Sequence, residues 1–364
     1  MTILRFSASA DTTISNAYDE TLATRGTGSN MGQSDILEVF SIYAQQSSSS
    51  AELSRILVQF PIDQIESKRT AGVIPASGSV QFVLKMYNAV HGETVPKNYK
   101  LIVAPLSQSW EEGLGLDMTN YTDLTYDLEG ANWINAASGS TWTAEGGDYL
   151  TASALEASFD SGLENLELDV SNIVEDWITG SAGGQYENYG FGIYLSASYE
   201  ASSSTNPLGA QTSYYTKKFF ARGSEFYYYR PTIEARWDSS VKDNRGSFYL
   251  SSALAPASDN LNKLYFHNYV RGKLKDIAND NSALPVVELY YSSGSVPEGS
   301  AVGFLDSTGS AQTFLTASRE SEGLYYATMA VTAGAVTTTY PYLVDVWSYA
   351  GTQVRTASAI TPLK

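Results

Sequence analysis

Alternation of apolar and polar residues between turn-forming clusters is the feature of this sequence that most constrains its fold. Ile56, Val58 and Phe60 fall on one face of a run that ends at Pro61, because proline cannot donate to a strand ladder. The same alternation recurs over residues 80–86, 191–195 and 233–237. Apolar residues at every second position line one face of a β-strand. The pattern therefore predicts an all-β chain.

One segment carries a helical signal. Over residues 172–179 the apolar positions form a single face, with Ser171 as a candidate N-cap and Gly180 as a C-terminal stop. The residues on that face are Ile173, Val174, Trp177 and Ile178. We expect this helix to close one end of a sandwich.

A change in composition after Trp237 predicts a domain boundary. Residues 239–246 are polar and turn-like, and strand patterning resumes at Ser247. At roughly 150 residues per domain, 364 residues accommodate two or three domains. We predict a large jelly-roll-like β-sandwich over residues 1–238, a linker over 239–246 and a smaller immunoglobulin-like β-sandwich over 247–364.

Composition excludes several kinds of chemistry. The chain has no cysteine, which removes disulfides, thiolate nucleophiles and zinc–thiolate sites. It has only two histidines, His91 and His267, so conventional catalytic groups are scarce. The sequence therefore predicts a protein that is not an enzyme.

The net charge of the chain limits the classes of partner that it can bind. With 22 Lys and Arg against 39 Asp and Glu, the net charge is −17. This disfavours non-specific binding to nucleic acid, which requires cations to displace counterions from phosphates. No run approaches 18 apolar residues, and the first 20 residues lack the apolar core of a signal peptide. We expect no nucleic acid, no membrane insertion and no signal peptide.

Several motifs over the first 238 residues resemble the DNRLRE-type domain, a β-sandwich module of bacterial surface and secreted proteins. They occur in the order of that family: ADTTI at 10–14, NMG at 30–32, RILVQF at 55–60, SWEEG at 109–113, NW at 132–133, LDV at 168–170, NYGF at 188–191, FARGS at 220–224 and RPTIE at 230–234. The resemblance covers about two-thirds of the chain and implies a jelly-roll-like sandwich. The sequence departs from the family in lacking a signal peptide and in an expanded region over residues 108–149.

The context of this module indicates a virion structural protein of a tailed phage. Such proteins assemble in the host cytoplasm, where thiols stay reduced, and they need neither an export signal nor disulfides. We therefore expect synthesis in the host cytoplasm and a final location in the virion. The expected partners are other virion proteins and further copies of the chain.

The expanded region 108–149 contains three tryptophans, Trp110, Trp133 and Trp142. Exposed, they would form a stacking platform for sugar rings; buried, they would hold the long loop in place. The same region contains Asp117, Asn120, Asp123, Asp127 and Glu129, oxygen donors that suit a structural Ca²⁺ ion, although the spacing is not that of an EF-hand. No calcium ligand is assigned, and no other cofactor is expected.

Two further groups are candidates for an interface. Lys217 and Lys218 lie in the main basic cluster of an acidic chain, where they suit either an acidic neighbour or the protection of an edge strand. In a strand over 227–229, Tyr228 would face away from Tyr227 and Tyr229. That strand would bury one face in the core and present Tyr228, beside Arg230, at an interface.

These observations favour a non-enzymatic structural component of a phage particle, such as a decoration, neck, collar or tail-associated protein. The alternative is a carbohydrate-binding module that acts in adhesion on a virion or cell surface. A third hypothesis, a glycan-cleaving enzyme, would need two carboxylates on opposite sides of a sugar. The neighbours Glu111 and Glu112 suit that role poorly, because adjacent residues usually point to different sides.

Overall fold

The computed structural model describes residues 2–116, 118–119, 122–123, 130–180, 187–277, 284–332, 334, 336–356 and 360–362. The chain divides into two compact units. The first contains Met1–Ser67 and Ala76–Asp238, and the second contains Lys68–Pro75 and Ser239–Lys364. Both units are built mainly from antiparallel sheets, and the prediction of an all-β, sandwich-type chain is confirmed.

Fifteen strands are described in the first unit. They are β1 (Thr2–Ser7), β2 (Ala10–Ser15), β3 (Ile36–Tyr43), β4 (Ala51–Gln59), β5 (Gln81–Met86), β6 (Tyr99–Pro105), β7 (Met118–Thr119), β8 (Thr122–Asp123), β9 (Asn135–Ala137), β10 (Ser140–Thr141), β11 (Leu155–Phe159), β12 (Leu166–Asp169), β13 (Phe191–Leu195), β14 (Tyr214–Phe220) and β15 (Thr232–Trp237). The two larger sheets have the orders β1-β15-β5-β12 and β11-β6-β13-β4-β3-β14, with β2 also paired to β4, and the short pairs β9-β10 and β7-β8 are separate.

The interior of the first unit follows the predicted alternation, but residues on the opposite faces of β4, β5 and β15 are buried as well. Ile56 and Val58 are buried as expected, but Leu57, on the opposite face, is buried as well. The long segment after β6 covers that second face. Trp110, Trp133 and Trp142 pack there with Leu57. Two-sided burial explains the three consecutive apolar residues Ile56, Leu57 and Val58 in β4.

The predicted helix is present in the first unit. Helix α2 (Ser171–Thr179) buries Ile173, Val174 and Trp177 and ends at Gly180. Ser171 is its first residue rather than its cap, and its hydroxyl donates to Asp169.

Helix α1 (Ile62–Thr70) was not predicted. Its only buried residues are Ile62 and Ile65, so its apolar pattern is short. Neither helix in the described part of the chain is long and apolar enough to span a bilayer.

The second unit contains shorter strands. They are β16 (Leu250–Ser251), β17 (Asn262–His267), β18 (Tyr269–Val270), β19 (Lys273–Leu274), β20 (Val286–Ser292), β21 (Glu298–Ala301), β22 (Phe304–Leu305), β23 (Ala311–Gln312), β24 (Phe314–Thr316), β25 (Ser318–Ser321), β26 (Leu324–Met329), β27 (Val331–Thr332), β28 (Tyr342–Tyr349) and β29 (Thr352–Thr356). The two larger sheets have the orders β17-β26-β25 and β21-β20-β28-β29, with β24 paired to β20.

The core of the second unit centres on Trp347, which stacks on Phe266 at 5.4 Å between ring centroids. The Trp347 indole donates to the buried carboxylate of Asp345, 2.5 Å away. Arg245 also pairs with this carboxylate. Residues 239–246, predicted as a linker, thus contribute a side chain to the interior of this unit.

Phe191 offers a direct test of the first core. Its ring is buried against Phe60 and Trp177. We expect Phe191→Ala to lower the free energy of unfolding by about 3–5 kcal/mol, because it removes buried surface and leaves a cavity. The control is Leu208→Ala, at a side chain that is 91 % exposed, which should change stability by less than about 0.5 kcal/mol. Urea denaturation measures both; equal effects would contradict the packing.

Candidate interaction surface

Four consecutive aromatic residues project from the loop between β14 and β15. Phe226, Tyr227, Tyr228 and Tyr229 are 51, 61, 78 and 44 % exposed. The strand predicted over 227–229 is wrong: these residues form one 3-10 turn, closed by the Tyr229 N–H bond to the Phe226 carbonyl. Successive side chains of such a turn are about one-third of a revolution apart, so the three tyrosines point in different directions. All three are nevertheless exposed, because the turn lies outside the sandwich.

These rings join two others into one surface, which we call the aromatic patch: Tyr87, Phe220, Phe226, Tyr227, Tyr228 and Tyr229. Tyr229 is its centre, with ring centroids 5.2 Å from Tyr87, 5.1 Å from Phe220 and 6.0 Å from Phe226. Tyr227 and Tyr228 meet edge to face at 5.6 Å. Aromatic pairs at these distances stabilise one another beyond their buried area.

The backbone beneath the patch is held by polar contacts. Ser224 is buried, and its carbonyl accepts a hydrogen bond of 2.9 Å from Arg230 Nε. Its hydroxyl accepts from the Phe226 N–H. The Arg230 guanidinium also lies over the Tyr227 ring, 5.4 Å from its centroid. The residue predicted beside the interface, Arg230, therefore braces the turn that carries the tyrosines.

An ion pair ties the start of this loop to the rest of the unit. Arg222 binds Glu112 through both carboxylate oxygens, at 2.9 Å from Nε and 2.6 Å from Nη2. Glu112 also accepts from the Asp11 N–H at 2.8 Å, and Asp11 accepts from the Arg222 N–H at 2.5 Å. Glu112 is therefore engaged in a bidentate pair, which joins β2, the long segment and the aromatic loop.

Asp11 sits at the buried centre of this cluster. Burial raises the pKa of Asp11 to about 7, and the nearby negative charge of Glu112 adds to that effect. The N–H of Arg222 and the charges of Arg222 and Arg230 act in the opposite direction. The carboxyl group thus titrates near neutral pH at the point where three segments meet.

The three tryptophans of the long segment do not form the predicted stacking platform. Trp110, Trp133 and Trp142 are 8, 4 and 5 % exposed, and they pack against the outer face of β4. The indole N–H of Trp110 donates to the Tyr189 carbonyl, and that of Trp142 donates to the Asn132 carbonyl, each at 2.8 Å. Their rings are interior packing, which excludes the sugar-stacking alternative and agrees with the expectation that buried tryptophans hold the long loop in place.

Arg55 also anchors the long segment, through hydrogen bonds and contacts with aromatic rings. Its guanidinium forms hydrogen bonds of 2.9–3.3 Å with the Glu200 carboxylate and one of 3.1 Å with the Gly146 carbonyl. The rings of Trp133, Tyr149 and Tyr194 surround it, with centroids 5.1–5.5 Å away. Through these contacts Arg55 joins β4 to the loop that contains Gly146 and to the loop that contains Glu200.

The two lysines predicted at an interface are not equivalent. Lys217 is 1 % exposed and points into the unit, so its placement on a contact surface is wrong. Lys218 lies on β14, the last strand of its sheet, opposite Glu38 on β3. It forms ion pairs with Glu38 at 2.6 Å and Glu93 at 2.7 Å.

The oxygen-rich stretch considered for calcium lies outside the described residues at Asp117, Asn120, Asp127 and Glu129, and so does the side chain of Asp123. Within the part of the chain that is described, no three His, Cys, Asp or Glu side chains are grouped to hold a metal ion. Comparison with family models found no match, and neither did comparison with curated proteins.

The Asp11 cluster makes stability depend on pH. Because the pKa of Asp11 is about 7 in the folded protein and about 4 in an unfolded chain, the folded state takes up this proton first. The stability that Asp11 contributes is therefore greatest below about pH 4 and is lost as the pH rises to about 7. We expect Asp11→Asn to remove this decline, while Asp19→Asn, at a half-buried carboxylate whose pKa is lowered by hydrogen bonds, leaves it. Urea denaturation at several pH values would contradict this if both variants kept the slope.

Proposed function

We propose that this chain is a non-enzymatic structural component of a phage particle and that it acts through protein–protein contacts made by the aromatic patch. The observation that carries the proposal is the exposure of four adjacent rings on a turn that is braced from below. Tyrosine and arginine are enriched at the residues that contribute most to binding in protein interfaces. Tyrosine also loses little conformational entropy when it becomes ordered, since it has only two side-chain torsions.

Preorganisation supports the same proposal. The turn is closed by its own backbone, braced by Arg230 and tied by Arg222 to Glu112. A partner that binds it would have to order few further torsions, which lowers the entropic cost of association. The net charge of −17 favours solubility of the free chain, so the contact would depend on the local surface.

The assignment to a phage particle rests on the sequence. The resemblance to the DNRLRE-type domain and the absence of cysteine are its support. Arg55, Glu112 and Arg222 all belong to motifs of that resemblance, and each holds a loop to the sandwich. The role would be that of a decoration, neck, collar or tail-associated protein, bound to other virion proteins or to further copies of itself.

A carbohydrate-binding module is the second candidate, and one groove favours it. A cavity of about 670 Å³ on the first unit is lined by Glu38, Glu93 and Lys218, with the rings of Phe40 and Tyr215 beside them. Carboxylates, an ammonium group and aromatic rings are groups that bind sugar hydroxyls and sugar faces. This groove, and not the buried tryptophans, would be the site of such binding.

Occupancy of the virion tests the proposal. In particles grown with a Tyr227→Ala, Tyr228→Ala double variant, we expect the number of copies of the chain per virion to fall at least tenfold. Loss of two exposed aromatic contacts should weaken binding by about 2 kcal/mol or more. Leu208→Ala, which changes an exposed apolar residue outside the patch, should leave occupancy unchanged. Quantitative mass spectrometry of purified virions gives the count.

Three outcomes would contradict the proposal. The chain could be absent from purified virions, or the double variant could be incorporated in full. Alternatively, the wild-type protein could bind defined sugars on a glycan array and lose that binding on Lys218→Met while the double variant keeps it. That last result would favour the carbohydrate-binding function and would locate it in the groove.

A further inference from the structure

Lys217 is a buried lysine whose amino group meets only uncharged hydrogen-bond acceptors among the residues that the structure describes. From β14 its Nζ atom donates to Asn88 Oδ1 at 2.6 Å, to the Glu164 carbonyl at 2.7 Å and to the Gly162 carbonyl at 2.9 Å. The rings of Phe159 and Phe219 enclose it, with centroids 5.0 and 4.8 Å away. An ammonium ion in such a setting has lost its water and gained no carboxylate on its hydrogen bonds.

Desolvation makes this amine unusually easy to deprotonate. Burial lowers the pKa of Lys217 to about 8, and the charge of Glu164 opposes this only in part. An ordinary lysine titrates near 10.4, so the share of neutral amine near pH 7 is far larger here. A neutral amine has the free electron pair that an attack on a carbonyl carbon requires.

Two polar atoms near Lys217 remain without an explanation in the described structure. The Tyr99 hydroxyl and Glu164 Oε2 are both enclosed, and neither has a hydrogen-bond partner among the described residues. The other oxygen of Glu164 accepts from the Ser161 N–H at 2.6 Å. Glu164 influences the titration of both Lys217 and Tyr99. Glu164 is half-buried, and hydrogen bonds from backbone N–H groups hold its pKa low, so it carries a negative charge close to the Lys217 amine.

We propose that Lys217 and Asn88 join in an intramolecular isopeptide bond. The Asn88 carbonyl carbon lies one C=O bond, about 1.2 Å, beyond an oxygen already in contact with Nζ. The neutral amine attacks this carbon, and the bond from Nζ to Cγ forms. The bond from Cγ to Nδ2 breaks, one proton passes from Nζ to the departing nitrogen, and ammonia leaves. No oxidant, reductant or cofactor is required.

The surrounding residues suit this reaction. Nζ becomes positive as it attacks, and the Glu164 carboxylate supplies a negative charge close enough to favour a cation there. The phenyl rings of Phe159 and Phe219 exclude water, which strengthens that interaction. Proximity also favours the reaction, since the amine and the amide are already in contact and avoid most of the entropic cost of meeting.

The bond would connect the two sheets of the first unit. Asn88 follows β5 of one sheet, and Lys217 lies on β14 of the other, 129 positions further along the chain. A covalent link across a long loop restricts the unfolded chain, as a disulfide does. A chain with no cysteine would thereby gain a cross-link that does not depend on an oxidising compartment.

Intact mass spectrometry of the purified full-length chain tests the inference. We expect the wild-type mass to be lower than the sequence mass by one molecule of ammonia. Lys217→Met and Asn88→Ala should each have their full sequence mass. Lys218→Met is the matched control, because it removes the neighbouring lysine and should keep the deficit. Asn88→Asp should lose water instead of ammonia and give the same product as the wild type.

A digest identifies the linked residues. Tandem mass spectrometry of the wild-type protein should show a branched peptide that contains both Asn88 and Lys217, and this needs no variant to fold. A wild-type chain of full sequence mass would overturn the inference. So would a deficit that persists in Lys217→Met, since ammonia would then have been lost by cyclisation at an asparagine.

Discussion

The Arg55 guanidinium is the interaction on which the arrangement of the first unit most depends. It projects from the outer face of β4 and meets a carboxylate, a backbone carbonyl and three aromatic rings. Without it, the part of the long segment around Gly146 and Trp133 would lose its hydrogen bond and its cation–π contact with β4. Its loss would also leave Glu200 as a partly buried charge without its partner, which is usually strongly destabilising.

From Arg55, a sequence of polar contacts leads to the aromatic patch. Arg55 holds the long segment through Gly146 and Trp133. The same segment contributes Glu112, which binds Arg222 at the start of the aromatic loop. The contacts of Arg55 and Arg222 hold the loops in place, as disulfides do in other proteins with long loops. The proposed bond at Lys217 would extend this principle from ion pairs to a covalent link.

Sequence patterns predicted the elements of this fold better than its loops. Strands β4, β5, β13 and β15 and helix α2 lie where alternation and apolar spacing indicated. The turn at 227–229 was missed because tyrosine has a high strand propensity. The backbone hydrogen bond that closes this turn cannot be read from residue type. Helix α1 was missed because it buries just two isoleucines.

The candidate site was predictable only in part. Tyr228 and Arg230 could be singled out by residue type, but Tyr87 lies in the patch through pairing of distant strands that no local pattern reveals. Lys217 and Lys218 look alike in sequence, yet adjacent strand residues face opposite sides, so one is buried and the other is paired at the edge. The tryptophans followed the second expectation, because a long loop must bury its own large rings to stay ordered.

Amide hydrogen exchange on the full chain tests most directly whether Arg55 organises the patch. The account predicts that Arg55→Met accelerates exchange not only near Gly146 and Glu200 but also at the Phe226 and Tyr229 amides, which lie on a separate loop. Exchange within residues 284–332 of the second unit should stay as in the wild type. If the patch amides keep their wild-type protection while those near Gly146 lose it, the proposed coupling between Arg55 and the contact surface is wrong.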